Sequence, residues 1–128
     1  MKGLLLDTNA LLWGLTGDRR LGAGARARIV AGEALFSSVS VLEVTIKTMV
    51  GKLDLPGDVA VGAVQAGLVE LPFTAAHASA LEEFPQLARH DPFDRMLLAQ
   101  AFVEGRELLT ADAELLGLGH DGVVDART

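Results

Sequence analysis

Gly3-Leu4-Leu5-Leu6-Asp7-Thr8-Asn9 is the stretch from which the fold can be read. Three leucines followed at once by a carboxylate and two small polar residues predict a short strand, buried on both faces, that carries Asp7 to the rim of a sheet. In open α/β sheets, ligands bind in the crevice beyond the carboxyl ends of the strands, so a charged group delivered there is a candidate functional residue. Asp, Thr and Asn are also favoured N-cap residues, which gives Asp7 a second reading as the cap of the helix that follows.

The same figure recurs downstream. Residues 10–15 read as a short apolar helix, 16–20 as a polar loop, and 25–31 as a second helix closed by Gly32. Ala34-Leu35-Phe36 is a second buried strand, and Ser37-Ser38-Val39-Ser40 leads into a longer helix that carries Val41, Leu42, Val44, Thr45 and Met49 and stops at Gly51. Residues 52–57 are a loop, 59–66 a small-residue helix, and 68–71 a third strand ended by Pro72; 74–84 reads as one helix with Thr74 as its cap. His90-Asp91-Pro92 announces a helix over 92–103, because Asp caps well and Pro is favoured at the first helical position. A fourth strand spans 108–110, and 122–124 forms a last strand at a sheet edge. Strands alternating with helices predict a parallel sheet covered on both faces.

Composition sets the bounds. With 128 residues, half of them hydrophobic, and a mean hydropathy of +0.35, the chain fills one core, and residues 1–128 are read as one domain. No apolar run approaches the roughly 18 to 20 residues that a membrane helix needs. Met1-Lys2-Gly3 leads straight into a strand instead of a signal-peptide pattern, so the expectation is a soluble, cytoplasmic protein without a membrane partner. The absence of cysteine excludes disulfides and thiolate chemistry and leaves carboxylate and imidazole as the strong metal ligands. A net charge of −6 argues on its face against a nucleic-acid partner. If four carboxylates form one metal site, however, most of that excess belongs to the site, and the ion supplies positive charge where a phosphate would approach.

Four acids occupy comparable settings: Asp7 after the first strand, Glu43 in the first turns of the helix after the second, Asp94 at the start of the helix after Pro92, and Asp112 after the fourth strand. Right-handed crossovers put every strand end on one rim, so all four are predicted to converge there. Crowded carboxylates repel and must share protons or bind cations. Oxygen ligation suits Mg²⁺ or Mn²⁺, and two such ions about 3.5 to 4 Å apart would clamp an in-line displacement at phosphorus. Each acid also has a purely structural reading. Ser40-x-x-Glu43 fits a capping box with Lys47 as the i+4 ion partner of Glu43. Asp94 would favour the helix dipole behind a cap at Asp91, and Asp112 would cap a last short helix with Thr110. Spacing alone leaves both readings open.

Leu5-Leu6-Asp7-Thr8-Asn9-Ala10, the Ser38-x-Ser40-x-x-Glu43 stretch running on to Lys47 and Gly51-Lys52-Leu53-Asp54-Leu55-Pro56, His90-Asp91-Pro92-Phe93-Asp94-Arg95 with Ala99-Gln100-Ala101 behind it, and Leu109-Thr110-Ala111-Asp112 fall in one order over nearly the whole chain. Together they resemble a PIN domain of the VapC type, the nuclease half of a type II toxin–antitoxin pair. Where relatives often carry an aromatic just before the helical glutamate, this chain has Leu42. The resemblance implies a three-layer α/β/α sandwich with a central, mainly parallel sheet, usually a homodimer or part of a larger toxin–antitoxin assembly, that cleaves RNA with Mg²⁺ or Mn²⁺. Asp7, Glu43, Asp94 and Asp112 would then be the catalytic, metal-holding acids, and Thr8, Asn9 and Thr110 would orient them. Lys47 and Arg95 would meet phosphate or antitoxin, and a cognate VapB-like antitoxin would lay a basic side chain over the cleft.

Water activated by metal would leave 5′-phosphate ends and would not need the 2′-hydroxyl of RNA. The contrasting two-histidine chemistry would draw on His77, His90 and His120. Their settings suit it poorly: mid-helix among alanines, at the end of the loop before Asp91, and in a Gly-rich loop. An aspartyl-phosphate phosphohydrolase also begins with a strand ending in Asp, but pairs it with an acid two residues on, where this chain has Asn9. A PIN-like domain that binds RNA or protein without cutting is the remaining alternative. Trp13 reads as core or dimer surface, Arg19, Arg20, Arg26 and Arg28 as a solvated face, and the helix over 59–66 as a docking or dimer surface.

Overall fold

In the computed structural model, which describes residues 3–32 and 34–128, the leucine triplet forms β1 (Leu4–Leu6), with each side chain at most 1% exposed. The expectation for Met1 and Lys2 lies outside the described residues. The chain continues through α1 (Thr8–Thr16), α2 (Ala23–Val30), β2 (Ala34–Ser37), α3 (Ser38–Met49), α4 (Val59–Gln65) and β3 (Val69–Leu71). It then forms α5 (Ala75–Ser79), two turns of 3-10 helix (Ala80–Glu83 and Pro85–Leu87), α6 (Pro92–Glu104), β4 (Glu107–Thr110), α7 (Ala113–Gly117) and β5 (Val123–Asp125).

The five described strands lie in the order β3-β2-β1-β4-β5, and every pairing is parallel. An all-leucine strand belongs in the centre, where both faces are covered, and β1 is there. Side chains alternate across a strand, so Leu4 and Leu6 enter one core with Leu11, Phe36 and Leu109, while Leu5 enters the other with Leu97, Leu98 and Leu108. The register enforces this division: Leu6 lies opposite Phe36 and Leu109, and Leu5 opposite Leu108. The result is the expected α/β/α sandwich, with a described sheet that is parallel throughout. No described helix is long and apolar enough to cross a membrane.

From β1 the sheet grows outward to β2 and β3, after which the chain crosses back to lay β4 on the other side of β1. The crevice at the carboxyl ends of β1 and β4 is therefore the topological switch point. Asp7 follows the last residue of β1, and Thr110 closes β4.

Two local expectations are corrected. The predicted helix over 74–84 ends at Ser79 and continues as a 3-10 turn that stops before Phe84, which precedes a proline and adopts φ −126°, ψ 60°, outside the helical region. Ser37–Ser40 is not a connection: α3 begins at Ser38, and Ser37 is its cap, its hydroxyl accepting from the Val39 N–H at 2.9 Å.

Leu5→Ala should lower stability by about 2–5 kcal/mol in a denaturant titration, because the vacated space lies between central strand and helix and cannot collapse. Val30→Ala, at a side chain 85% exposed, should fall within about 0.5 kcal/mol of wild type.

Candidate metal centre

Asp7 caps α1 and faces the switch point at once. Its Oδ1 accepts the Ala10 N–H at 2.8 Å, and its Oδ2 accepts the Thr110 hydroxyl at 2.5 Å. The same Thr110 oxygen accepts the Asp112 N–H at 3.0 Å, which links the ends of β1 and β4 through one side chain. Asp7 is 3% exposed. Burial, against the opposing effect of its bonds to Thr110 and Ala10, pushes its carboxyl up to about 7, and the charges of Asp94 and Glu43 push the same way.

Glu43 lies in the second turn of α3 and is also buried. The Thr8 hydroxyl donates to its Oε1 at 2.6 Å and lies 3.0 Å from Ser40 Oγ; Lys47 Nζ pairs with its Oε2 at 2.6 Å. The capping-box reading of Ser40 and Glu43 fails because Ser37 holds the cap, whereas the i+4 pair with Lys47 forms as expected.

Asp94 sits in the first turn of α6 behind its cap, Asp91, whose Oδ1 accepts the Phe93 N–H at 2.8 Å. Burial, followed by the charges of Asp91 and Asp112, raises the Asp94 carboxyl to about 6 against the pull of His90. Asp112 caps α7 through Oδ2, which accepts the Leu115 N–H at 3.0 Å. For Asp7 and Asp112 the capping reading therefore holds, and it is what aims each carboxylate into the crevice.

His90 stands at the end of the loop before the Asp91 cap, as the sequence reads, and there the structure sets it among the acids. Its Nε2 lies 3.1 Å from Asp94 Oδ2 and 3.3 Å from Asp112 Oδ2, and its Nδ1 lies 2.8 Å from Glu114 Oε2. Burial pulls the imidazole down, but Asp112, Glu114 and Asp94 together raise it above its ordinary 6.5. His90, Asp94 and Asp112 each offer a ligand atom within 4.8 Å of one another. The four predicted acids thus fall into two subsets. Asp94 and Asp112 gather around His90; Asp7 and Glu43 stand within electrostatic reach, with their oxygens engaged by the protein.

The remaining predicted residues separate in the same way. Thr8 and Thr110 grip Glu43 and Asp7. Asn9 is exposed, and its side chain is hydrogen-bonded to none of the described residues. Arg95 is half-buried, with its Nε lacking a partner among the described residues. Sequence reasoning left Glu114 unnamed, and it read His90 and Ser40 in other roles, as a poorly placed catalytic histidine and a helix cap. The i,i+4 spacing of His90 and Asp94 and the i,i+3 spacing of Ser40 and Glu43 were the available signals. The other histidines are elsewhere: His77 is buried between the Thr74 N–H and Glu104, and His120 accepts the Gly122 N–H.

The donor set of carboxylate oxygens and one imidazole nitrogen fits a divalent ion. So does the electrostatics, since burial, and after it their neighbours' charge, raises two acids, and a cation would favour the ionised form of both.

Residues 4–120 match the family model described as PIN domain. Among solved structures, the chain is similar to a DNA-bound VapBC from Salmonella typhimurium, at 20% identity with a TM-score of 0.67, covering 98% of each chain. It is also similar to a toxin–antitoxin complex from Klebsiella pneumoniae, at 17% identity and TM-score 0.65, covering 97% of this chain and 98% of that one. FitAcB from Neisseria gonorrhoeae follows, at 18% identity and TM-score 0.60, with 96% and 97% covered. At these identities the likeness concerns the fold. No curated protein matches the chain.

The raised carboxyls fix the sign of a pH effect in the metal-free protein. A folded value of about 7 for Asp7 against 3.8 when unfolded means that the fold binds the extra proton, so this stabilisation is full below 3.8 and lost as pH rises through 7. A displacement of that size is worth on the order of a few kcal/mol. In chelator, Asp7→Asn should therefore be more stable than wild type at pH 8, and the advantage should be smaller at pH 5, its proton-linked part disappearing only below 3.8. Denaturant titrations at both pH values measure the difference.

Proposed function

The chain belongs to the PIN domain family, and from that premise we propose that it is the Mg²⁺- or Mn²⁺-dependent endoribonuclease toxin of a VapBC-type pair, held inactive by a cognate antitoxin. The observation that carries the reading is the crowding of acids at the switch point, where burial, and after it the charges of Asp94 and Glu43, raises the cost of ionising Asp7. Such a cluster is poorly suited to contact phosphate by itself and well suited to hold the cations that do. The overlap with toxin–antitoxin complexes over almost the full length of both chains supports the choice of a toxin.

Bound divalent ions would supply Lewis-acid polarisation of the phosphodiester and a water of lowered pKa. The chain's own residues do the positioning. Asp94 and Asp112 present carboxylates from the starts of two helices, and Asp7 is locked between the Ala10 N–H and the Thr110 hydroxyl. Thr8 and Lys47 fix Glu43, and the half-exposed Lys47 ammonium is available to a phosphate at the rim. A basic side chain from an antitoxin peptide would find the same acids, and a homodimer would extend the cleft for RNA.

The rival chemistries have less support. An aspartyl-phosphate intermediate needs an accessible nucleophile, and Asp7 is buried with both oxygens engaged. The two-histidine route needs paired imidazoles, and His77 and His120 are each bound into separate local structures.

Incubated with a total RNA pool and Mn²⁺, the wild-type protein should cut and leave 5′-phosphate ends. Asp94→Asn and Asp112→Asn should each cut on the order of 100-fold more slowly or less. Equal cutting by all three proteins, cyclic-phosphate ends, or activity that survives a chelator would refute the reading; RNA binding without cutting would favour the non-catalytic alternative.

A further inference from the structure

The two ring nitrogens of His90 face different surroundings. Nδ1 is 2.8 Å from Glu114 Oε2, on the solvent side, while Nε2 looks into the gap between Asp94 Oδ2 and Asp112 Oδ2. The ring is held at 11% side-chain exposure immediately before the Asp91 cap. Metal-binding imidazoles are held in this way: the outer nitrogen donates to a carboxylate, which fixes tautomer and ring plane, and the inner nitrogen turns its lone pair to the ion. The 4.8 Å group formed by Nε2 and the two carboxylates is close to the span that one ion bridges with ligand bonds of about 2.0–2.2 Å. Glu114 is thus the second, independent feature: a carboxylate behind the imidazole, on the side away from the cluster.

We propose that His90 is a nitrogen ligand of the metal site, completing a face with Asp94 and Asp112, and that it biases the site towards Mn²⁺ over Mg²⁺. Mn²⁺ shares the oxygen ligands of Mg²⁺ but, as a first-row transition ion, also accepts an imidazole nitrogen, whereas Mg²⁺ prefers oxygen and gives up its water reluctantly. Glu114 is a positioning residue that orients the ring. The inference rests on the metal-dependent reading above and adds to it the side chain that selects the ion.

The test uses the full chain, with Mn²⁺ and Mg²⁺ as probes. Calorimetry gives the affinities, and electron spin-echo spectroscopy of bound Mn²⁺ reports a directly coordinated nitrogen through its ¹⁴N modulation. Wild type should show that modulation. His90→Gln and His90→Asn, checked for folding by circular dichroism, should lose it and bind Mn²⁺ about 10–100-fold more weakly, with a smaller loss for Mg²⁺. Glu114→Gln should keep the modulation and weaken Mn²⁺ by less than His90→Gln does. Mn²⁺ bound by wild type without ¹⁴N modulation, or with wild-type affinity in a folded His90 variant, would overturn the ligand assignment. The metal-dependent reading would survive that result if Asp94→Asn still abolished binding. Wild-type protein that binds no Mn²⁺ would overturn both.

Discussion

The hydroxyl of Thr110 joins the two strands that flank the switch point. It donates a hydrogen bond to Asp7 at the end of β1 and accepts one from the backbone N–H of Asp112 just after β4. The constraint behind it is topological. A strand of three leucines is driven to the centre of the sheet, and the residue after it is carried into a nearly dry crevice whether or not it is charged. A buried carboxylate is tolerable only when its oxygens are satisfied. Thr110 and the start of α1 satisfy both, using a second strand and a helix that the fold provides anyway.

Charge is compensated unevenly across the site. Glu43 has Lys47, and Asp94 and Asp112 have His90. Asp7 has neutral donors alone among its described hydrogen bonds, and it is the acid pushed furthest from its ordinary range, to about 7. The arrangement costs stability in the absence of a cation, which is the usual sign that a group is kept for what it binds. The acidity of the whole chain is therefore a poor guide to its partners, because part of it is concentrated where positive charge would enter.

The sheet was legible because its residues have few alternatives. Leu4, Leu5 and Leu6 fit little except a doubly covered strand, and Asp91-Pro92 fits little except a helix start. Asp7 and Asp112 were visible for the same reason, since capping fixes where their carboxylates go. What depended on tertiary contact was not legible. His90 is the loop residue the sequence makes it, but its approach to Asp112 and Glu114 could not be read, because they lie more than twenty positions away. Asn9, one residue beyond Thr8, seemed equally placed to orient an acid, yet the turn of α1 leaves it exposed while Thr8 reaches Glu43. The helix over 74–84 was overextended because no local breaker marks the change to 3-10 backbone at Ala80, and Pro85 restricts only Phe84.

The central claim is that residues from the ends of β1 and β4 and the starts of α3 and α6 form a single cation site. Diffraction from crystals soaked in Mn²⁺, collected at an energy where manganese scatters anomalously, tests it without reference to activity. The expected result is an anomalous peak at the switch point, within about 2.0–2.3 Å of carboxylate oxygens of Asp94 and Asp112 and on the Asp7 side of them. An empty crevice at saturating Mn²⁺, with the carboxylates undisturbed, would contradict it.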